Sequence, residues 1–178
     1  MRLDQQFYNQ STLKIAQQLL GNFLIHKHNG RLIMGKITET EAYVGPKDLS
    51  SHASRGRTPR TELMFGEGGY WYIYLIYGMY YCLNIVTEHK NYPAAVLIRA
   101  LEPIAGSKSK LKINGPGKLC RALKIDKHLN GSSAFDKKSK LWIEDRGLKI
   151  NPREIKKSPR IGVDYAKEYK DKLWRFYL

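Results

Sequence analysis

Between Thr12 and Leu20 the apolar side chains Leu13, Ala16, Leu19 and Leu20 recur at helical spacing, with Ser11 or Thr12 able to cap the start and Gly21 to end the run. The period then changes. Phe23 to His28 and Arg31 to Glu41 read as strands flanking Asn29-Gly30, the pair that best fits a type I′ hairpin turn. Continued as strand, the second arm alternates Thr38, Thr40 and Ala42 on one face with Glu39, Glu41 and Tyr43 on the other. Two carboxylates and an aromatic ring on one face fit either a solvated surface or a site where a buried carboxylate has partners and a task.

Val44 to Arg60 is polar and turn-rich, and it carries His52, Arg55, Arg57 and Arg60 in a loop of the length that usually serves function; His52 reads equally as a surface histidine. Tyr70 to Ile85 holds seven aromatics in sixteen residues and pivots at Tyr77-Gly78, which predicts a second hairpin. Tyr70, Tyr72 and Tyr74 share a face of its first arm, whereas Tyr77 falls at the tip. Such a face either fills a β-sandwich core or stacks bases, and an exposed aromatic tip has the form of a wedge for a duplex. In the apolar strand from Ala94 to Leu101 the only charge is Arg99, expected to meet a carboxylate or a phosphate. Ser107 to Lys112 reads as a lysine-rich linker, and Asn114 to Lys118 as the glycine-rich start of a helix to about Leu123, a weak phosphate signal. Lys124 to Lys140 reads as an exposed charged excursion, and Leu141 to Glu144 as a strand. Ordered chain resumes at Ser158 to Val163, and Trp174 to Tyr177 packs on the core. No repeat or boundary interrupts the 178 residues, so a single domain, residues 1–178, is expected.

Charge changes the picture. Lys and Arg number 31 against 16 Asp and Glu, a formal net charge of +15, which favours a polyanionic partner, nucleic acid before an anionic membrane surface or the ribosome. Two cysteines, Cys82 and Cys120, make neither a disulfide framework nor a paired zinc motif and are expected as buried thiols. With no signal-peptide core and no apolar run of membrane-spanning length, a soluble intracellular protein is expected, in the cytoplasm or nucleoid if bacterial.

The order of short motifs is more particular than composition: ETEAY at Glu39 to Tyr43, GP-x-D at Gly45 to Asp48, His52, TPR at Thr58 to Arg60, MF at Met64 to Phe65, YIYLIYGMYYCLN at Tyr72 to Asn84 and LIRALEP at Leu97 to Pro103. Together they closely resemble the alkyladenine (3-methyladenine) DNA glycosylase family. The likeness covers nearly the whole chain, extending to GPGKLCRAL at Gly115 to Leu123 and, more loosely after Lys124, to RIGV at Arg160 to Val163. Thr61 stands where the family commonly has Asn, and Ser51 where a small Ala is frequent, which puts loop packing in question.

The resemblance implies an α+β fold, a single mixed domain around a curved, largely antiparallel sheet with a protruding hairpin that enters the DNA minor groove, and not a helix-hairpin-helix fold. It implies Glu41 as general base with Arg99 helping to hold the attacking water, Tyr43, His52 and Tyr74 around a flipped base, Asn84 disfavouring normal guanine, the Val163 carbonyl contacting the same water, and Tyr77 filling the vacated place in the duplex. The expected activity is monofunctional removal of alkylated or deaminated purines from double-stranded DNA by a monomer, with no cofactor, no metal and no membrane partner. Two other readings stay open at this stage. One is a magnesium or manganese nuclease using Glu39, Glu41, Asp48 and His52. The other is a non-catalytic nucleic-acid-binding protein.

Overall fold

Two tight turns set the frame. Asn29 and Gly30, with φ of +48° and +76°, join β1 (Phe23–His28) to β2 (Arg31–Tyr43). Tyr77, Gly78 and Met79, the first two with φ of +52° and +68°, join β3 (Trp71–Ile76) to β4 (Tyr80–Val86), and the Met79 N–H donates to the Ile76 carbonyl at 3.2 Å. Positive φ at both central residues of the Asn29-Gly30 turn is the type I′ geometry, and both hairpins stand where the sequence predicts them. The computed structural model describes residues 1–103 and 113–178; the predicted linker from Ser107 to Lys112 lies outside the described residues.

Ala95–Pro103 forms β5, Ile113–Asn114 β6, Leu141–Glu144 β7, Lys156–Ser158 β8 and Arg175–Tyr177 β9. Among the described residues all nine strands join one sheet whose main order is β3-β4-β5-β2-β1-β7, and every strand pair is antiparallel. The helices are short: α1 (Gln5–Tyr8), absent from the sequence expectation, α2 (Thr12–Gln18), whose start Ser11 caps by accepting from the Lys14 N–H, and α3 (Pro116–Ala122). The architecture is the expected α+β class, with an open sheet. Among the described residues no helix is long and apolar enough to cross a membrane.

Strand alternation divides the sheet into two jobs. Trp71 and Ile73 of β3, Leu83 and Ile85 of β4, Val96 and Ile98 of β5 and Ala42 of β2 enter the main core with Ile15, Ala16 and Leu19 from α2 and the following turn. Thr40 also points there and donates to the Ala16 carbonyl at 2.7 Å. The alternate positions supply Tyr72, Val86 and Ala95, which pack with Ala53 and Met64 of the long 44–66 loop. Glu39, Glu41 and Tyr43 belong to this second face, so β2 carries core on one side and chemistry on the other.

Between β2 and β5 the ladder slips: Ile37 faces Leu101, Glu39 faces Ala100 and Thr40 faces Ile98. Thr38 and Arg99 thus each stand as the extra residue of an irregularity, the device by which a strand re-aims a side chain beside a site. The segment from Lys124 to Lys140 corrects the sequence expectation. Its lysines are exposed, yet Ile125 and Ala134 are buried. Asn130 accepts from the Ile73 N–H at 2.8 Å, and the Trp71 N–H donates to the Ser132 carbonyl at 2.9 Å. The excursion therefore covers the free edge of β3, which would otherwise expose unpaired backbone groups.

Candidate active site

Glu41 is fully buried, which rules out the solvated-face reading of this strand. A carboxylate so placed needs donors, and three reach it: the Tyr43 hydroxyl at 2.9 Å and Arg99 Nη1 at 3.3 Å on Oε2, and the Ile161 N–H at 2.8 Å on Oε1. Burial nevertheless dominates and raises its pKa above the ordinary glutamate value. Arg99, the Ile161 N–H and Tyr43 pull it down, and Glu39 adds a smaller upward push. A carboxylate in this state is more basic than a solvated one and remains hydrogen-bonded for use in its ionised form.

Arg99 is the hinge of the polar cluster. Its Nε donates to Glu39 at 3.1 Å while Nη1 reaches Glu41, and Glu39 also takes a 2.6 Å bond from Arg175 of β9. Arg99 thus meets carboxylates, one of the two partners the sequence allows. A second pair lies behind Tyr43. Arg160 and Asp48 are both fully buried as side chains and paired at 2.6 and 3.0 Å, and Arg160 also donates to the Ala42 carbonyl at 2.7 Å. The Arg160 guanidinium lies 4.8 Å from the Tyr43 ring centroid and 4.9 Å from that of Trp174, so one ring face of Tyr43 is held by a cation.

The tyrosine ring also lines a cavity, with Ser51, His52, Tyr72, Tyr74 and Asn84 among its other walls. His52 Nδ1 sits 3.0 Å from the Tyr72 hydroxyl, and its ring meets Tyr74 edge-on with centroids 4.6 Å apart. Burial, helped by Arg60 and Arg55, lowers the His52 pKa to about 4, so the ring is neutral at physiological pH. Asn84 is fixed by donating to the carbonyls of Tyr72 and Cys82 at 3.1 and 3.4 Å. The cavity measures about 20 Å³, room for about one water.

Tyr77 is 82 % exposed at the tip of the β3–β4 hairpin, beside exposed Leu75 and Met79. An aromatic residue in the left-handed region, displayed to solvent, is strained and unburied at once.

The predicted residues therefore fall into three places. Glu41, Arg99 and Tyr43 are joined by hydrogen bonds; Tyr43, His52, Tyr74 and Asn84 line one cavity; Tyr77 stands apart at the tip. Val163 is buried, with its carbonyl accepting from the Ala166 N–H at 2.9 Å, two residues past the N–H that holds Glu41. The sequence reading missed Ile161, whose contribution is a backbone group, and the clamp of Arg160 on Asp48, although both residues lie within quoted motifs. The two departures serve the loop. Ser51 caps the 3₁₀ turn at His52–Arg55, and Thr61 accepts from the Thr58 N–H at 2.9 Å and donates to the Gly56 carbonyl at 3.0 Å.

The four side chains of the nuclease reading do not assemble. Asp48 faces Arg160, Glu39 faces two arginines, and His52 is turned to Tyr72. Among the described residues no group of three or more His, Cys, Asp or Glu side chains is placed to hold a metal ion. Cys82 and Cys120 are free and buried, as expected.

The sequence profile of the methylpurine-DNA glycosylase family matches residues 6–178. Among similar proteins, one from Clostridium perfringens (strain 13 / Type A) is 43% identical over 197 residues, covering 100% of this chain and 96% of its own. One from Desulfitobacterium hafniense is 44% identical over 196 residues, covering 99% and 95%. One from Legionella pneumophila (strain Corby) is 45% identical over 177 residues, covering 99% and 94%. Each carries the name "Putative 3-methyladenine DNA glycosylase".

Proposed function

The chain belongs to the methylpurine-DNA glycosylase family, and we propose that it flips damaged purines out of duplex DNA and hydrolyses their N-glycosidic bond with a water activated by Glu41. The substrates are alkylated or deaminated purines of the 3-methyladenine, 7-methylguanine, hypoxanthine and ethenoadenine class. The observation that carries the reading is a fully buried carboxylate, held by three donors, whose hydroxyl partner Tyr43 forms the wall of an aromatic cavity.

The reaction needs little more than these groups. Water adds to C1′ as the bond to the purine nitrogen breaks, its proton passes to Glu41, and the same carboxylate stabilises the oxocarbenium character of the sugar. Arg99 keeps Glu41 ionised and aligned, and the Val163 carbonyl orients the water. A cationic alkylpurine leaves as a neutral base and needs no proton, whereas hypoxanthine or ethenoadenine leaves as an anion that takes up a proton from solvent. Tyr43, His52 and Tyr74 enclose the flipped base, and a neutral His52 does not repel a positively charged one. Asn84 excludes normal guanine. Tyr77 enters the duplex from the minor groove and offsets the few kcal/mol that extrusion costs.

The enzyme acts as a monomer and a single domain, in the compartment that holds the genome. Because the nucleophile is water and no lysine is among these site residues, the product is a free base and an intact abasic strand. Incubation of methylated duplex and of single-lesion oligonucleotides in EDTA tests this. Free purine with an uncut strand is expected, and an enzyme–DNA adduct trapped by borohydride during base release would contradict it.

A further inference from the structure

The arginines nearest Glu41 are committed to carboxylates: Arg99 to Glu39 and Glu41, Arg175 to Glu39, Arg160 to Asp48. The excess of cations in the composition must therefore be displayed elsewhere. A groove of about 620 Å³ collects part of it, lined by Arg2, Lys27, Lys137, Lys138, Lys140 and Trp142. Among the described residues none of these lysines pairs with a carboxylate. Asp136, the acid beside them in sequence, accepts from the Lys138 N–H at 2.8 Å.

The walls are fixed by backbone. The Lys27 N–H donates to the Lys140 carbonyl at 2.8 Å, and β1 pairs with β7 in the register Ile25 to Trp142 and His26 to Leu141. Arg2 donates to the Asp136 carbonyl and lies 4.4 Å over the Trp142 ring. The groove opens beside the Asn29-Gly30 turn, where β2 begins, whereas Tyr43 ends that strand. Twelve residue steps of strand separate the two places by roughly 40 Å.

We propose that this groove is a second contact for duplex DNA, holding the phosphate backbone of a segment remote from the lesion. Lysine ammonium groups are compact point charges suited to phosphate without regard to sequence, and duplex DNA presents about one charge per 1.7 Å of axis. The inference extends the glycosylase reading, and its binding arm can be read without catalysis.

The test compares the wild type with a Lys137→Gln, Lys138→Gln, Lys140→Gln triple variant on lesion duplexes of about 10 and about 40 base pairs, since at 3.4 Å per step only the longer spans roughly 40 Å. Single-turnover base release from the short duplex is expected to be unchanged within about twofold, against 100-fold or more for loss of a catalytic group. Binding to the long duplex is expected to weaken, with the slope of log affinity on log salt reduced by about 2 to 3. An unchanged slope on the long duplex would overturn the proposal. So would an equal loss on both lengths, which would place the lysines at the lesion itself. If the wild type released no base, the catalytic reading would fail while the salt slope still decided this one.

Discussion

The chain carries an internal control for the cost of its exposed tyrosine. Asn29 and Tyr77 both hold a left-handed backbone, with φ of +48° and +52° and glycine next in both cases, the first in a two-residue and the second in a three-residue hairpin loop. Asn suits that position, whereas a bulky residue there costs roughly 1–2 kcal/mol. Tyr77→Asn puts the better-suited residue at this left-handed position and should stabilise the fold by about 1 kcal/mol, raising Tm by about 2–4 °C. Tyr77 is 82 % exposed, so the fold loses almost no packing. In the duplex the ring would bury ~150 Å² or more, worth about 3–4 kcal/mol at ~25 cal/mol per Å². Single-turnover release from a paired lesion should therefore fall by roughly two to three orders of magnitude. Release from a lesion in single-stranded DNA, where no gap needs filling, should fall far less. A calorimetric Tm paired with quenched-flow excision measures both halves. A variant that is less stable, or one that excises paired lesions at the wild-type rate, refutes the reasoning.

Three other perturbations follow from the geometry. In the proposed mechanism Glu41 acts when ionised, so single-turnover excision should rise with pH through a pKa above the ordinary glutamate value; Arg99→Met, which removes a cation that lowers it, should move that limb to still higher pH. A limb that stays in place would remove Arg99 from the account. The His52 pKa is depressed to about 4 from 6.5, so the histidine contributes stability above the unfolded value that is lost as pH falls from about 6.5 towards 4. His52→Gln should flatten urea midpoints across that window relative to wild type, and parallel curves would contradict the assignment. Asp48→Asn leaves the buried Arg160 cation unpaired, a loss of about 3–5 kcal/mol and of about 10 °C in Tm; a loss under about 1 kcal/mol would mean the pair is replaceable.

The hairpins were legible because their signals are local: Asn-Gly at Asn29-Gly30, a glycine after Tyr77, and alternation on either side. Glu41 and Tyr43 on one face also followed from alternation alone. The burial of Glu41 did not, because its donors Arg99 and Ile161 lie 58 and 120 residues away in sequence. The ladder slip that aims Arg99 at Glu39 is invisible in an apolar run that reads as a uniform strand. The Lys124 to Lys140 segment misled for a related reason. Its charge is real, but Asn130 and Ser132 dock through single polar contacts to the backbone of β3, and such contacts leave no period. Arg160 lay within a quoted motif, yet only the fold brings it to Asp48.

The central claim is that Glu41 performs the chemistry and that the rest of the site binds and positions. It is tested most directly by Glu41→Gln under single-turnover conditions on a duplex with one lesion, with binding measured on the same DNA. The amide preserves size and can still accept from Ile161, so tight lesion binding should persist while base release falls by 100-fold or more, the usual scale for a lost general base. A variant that binds and still releases purine at the wild-type rate would show that another group activates the water.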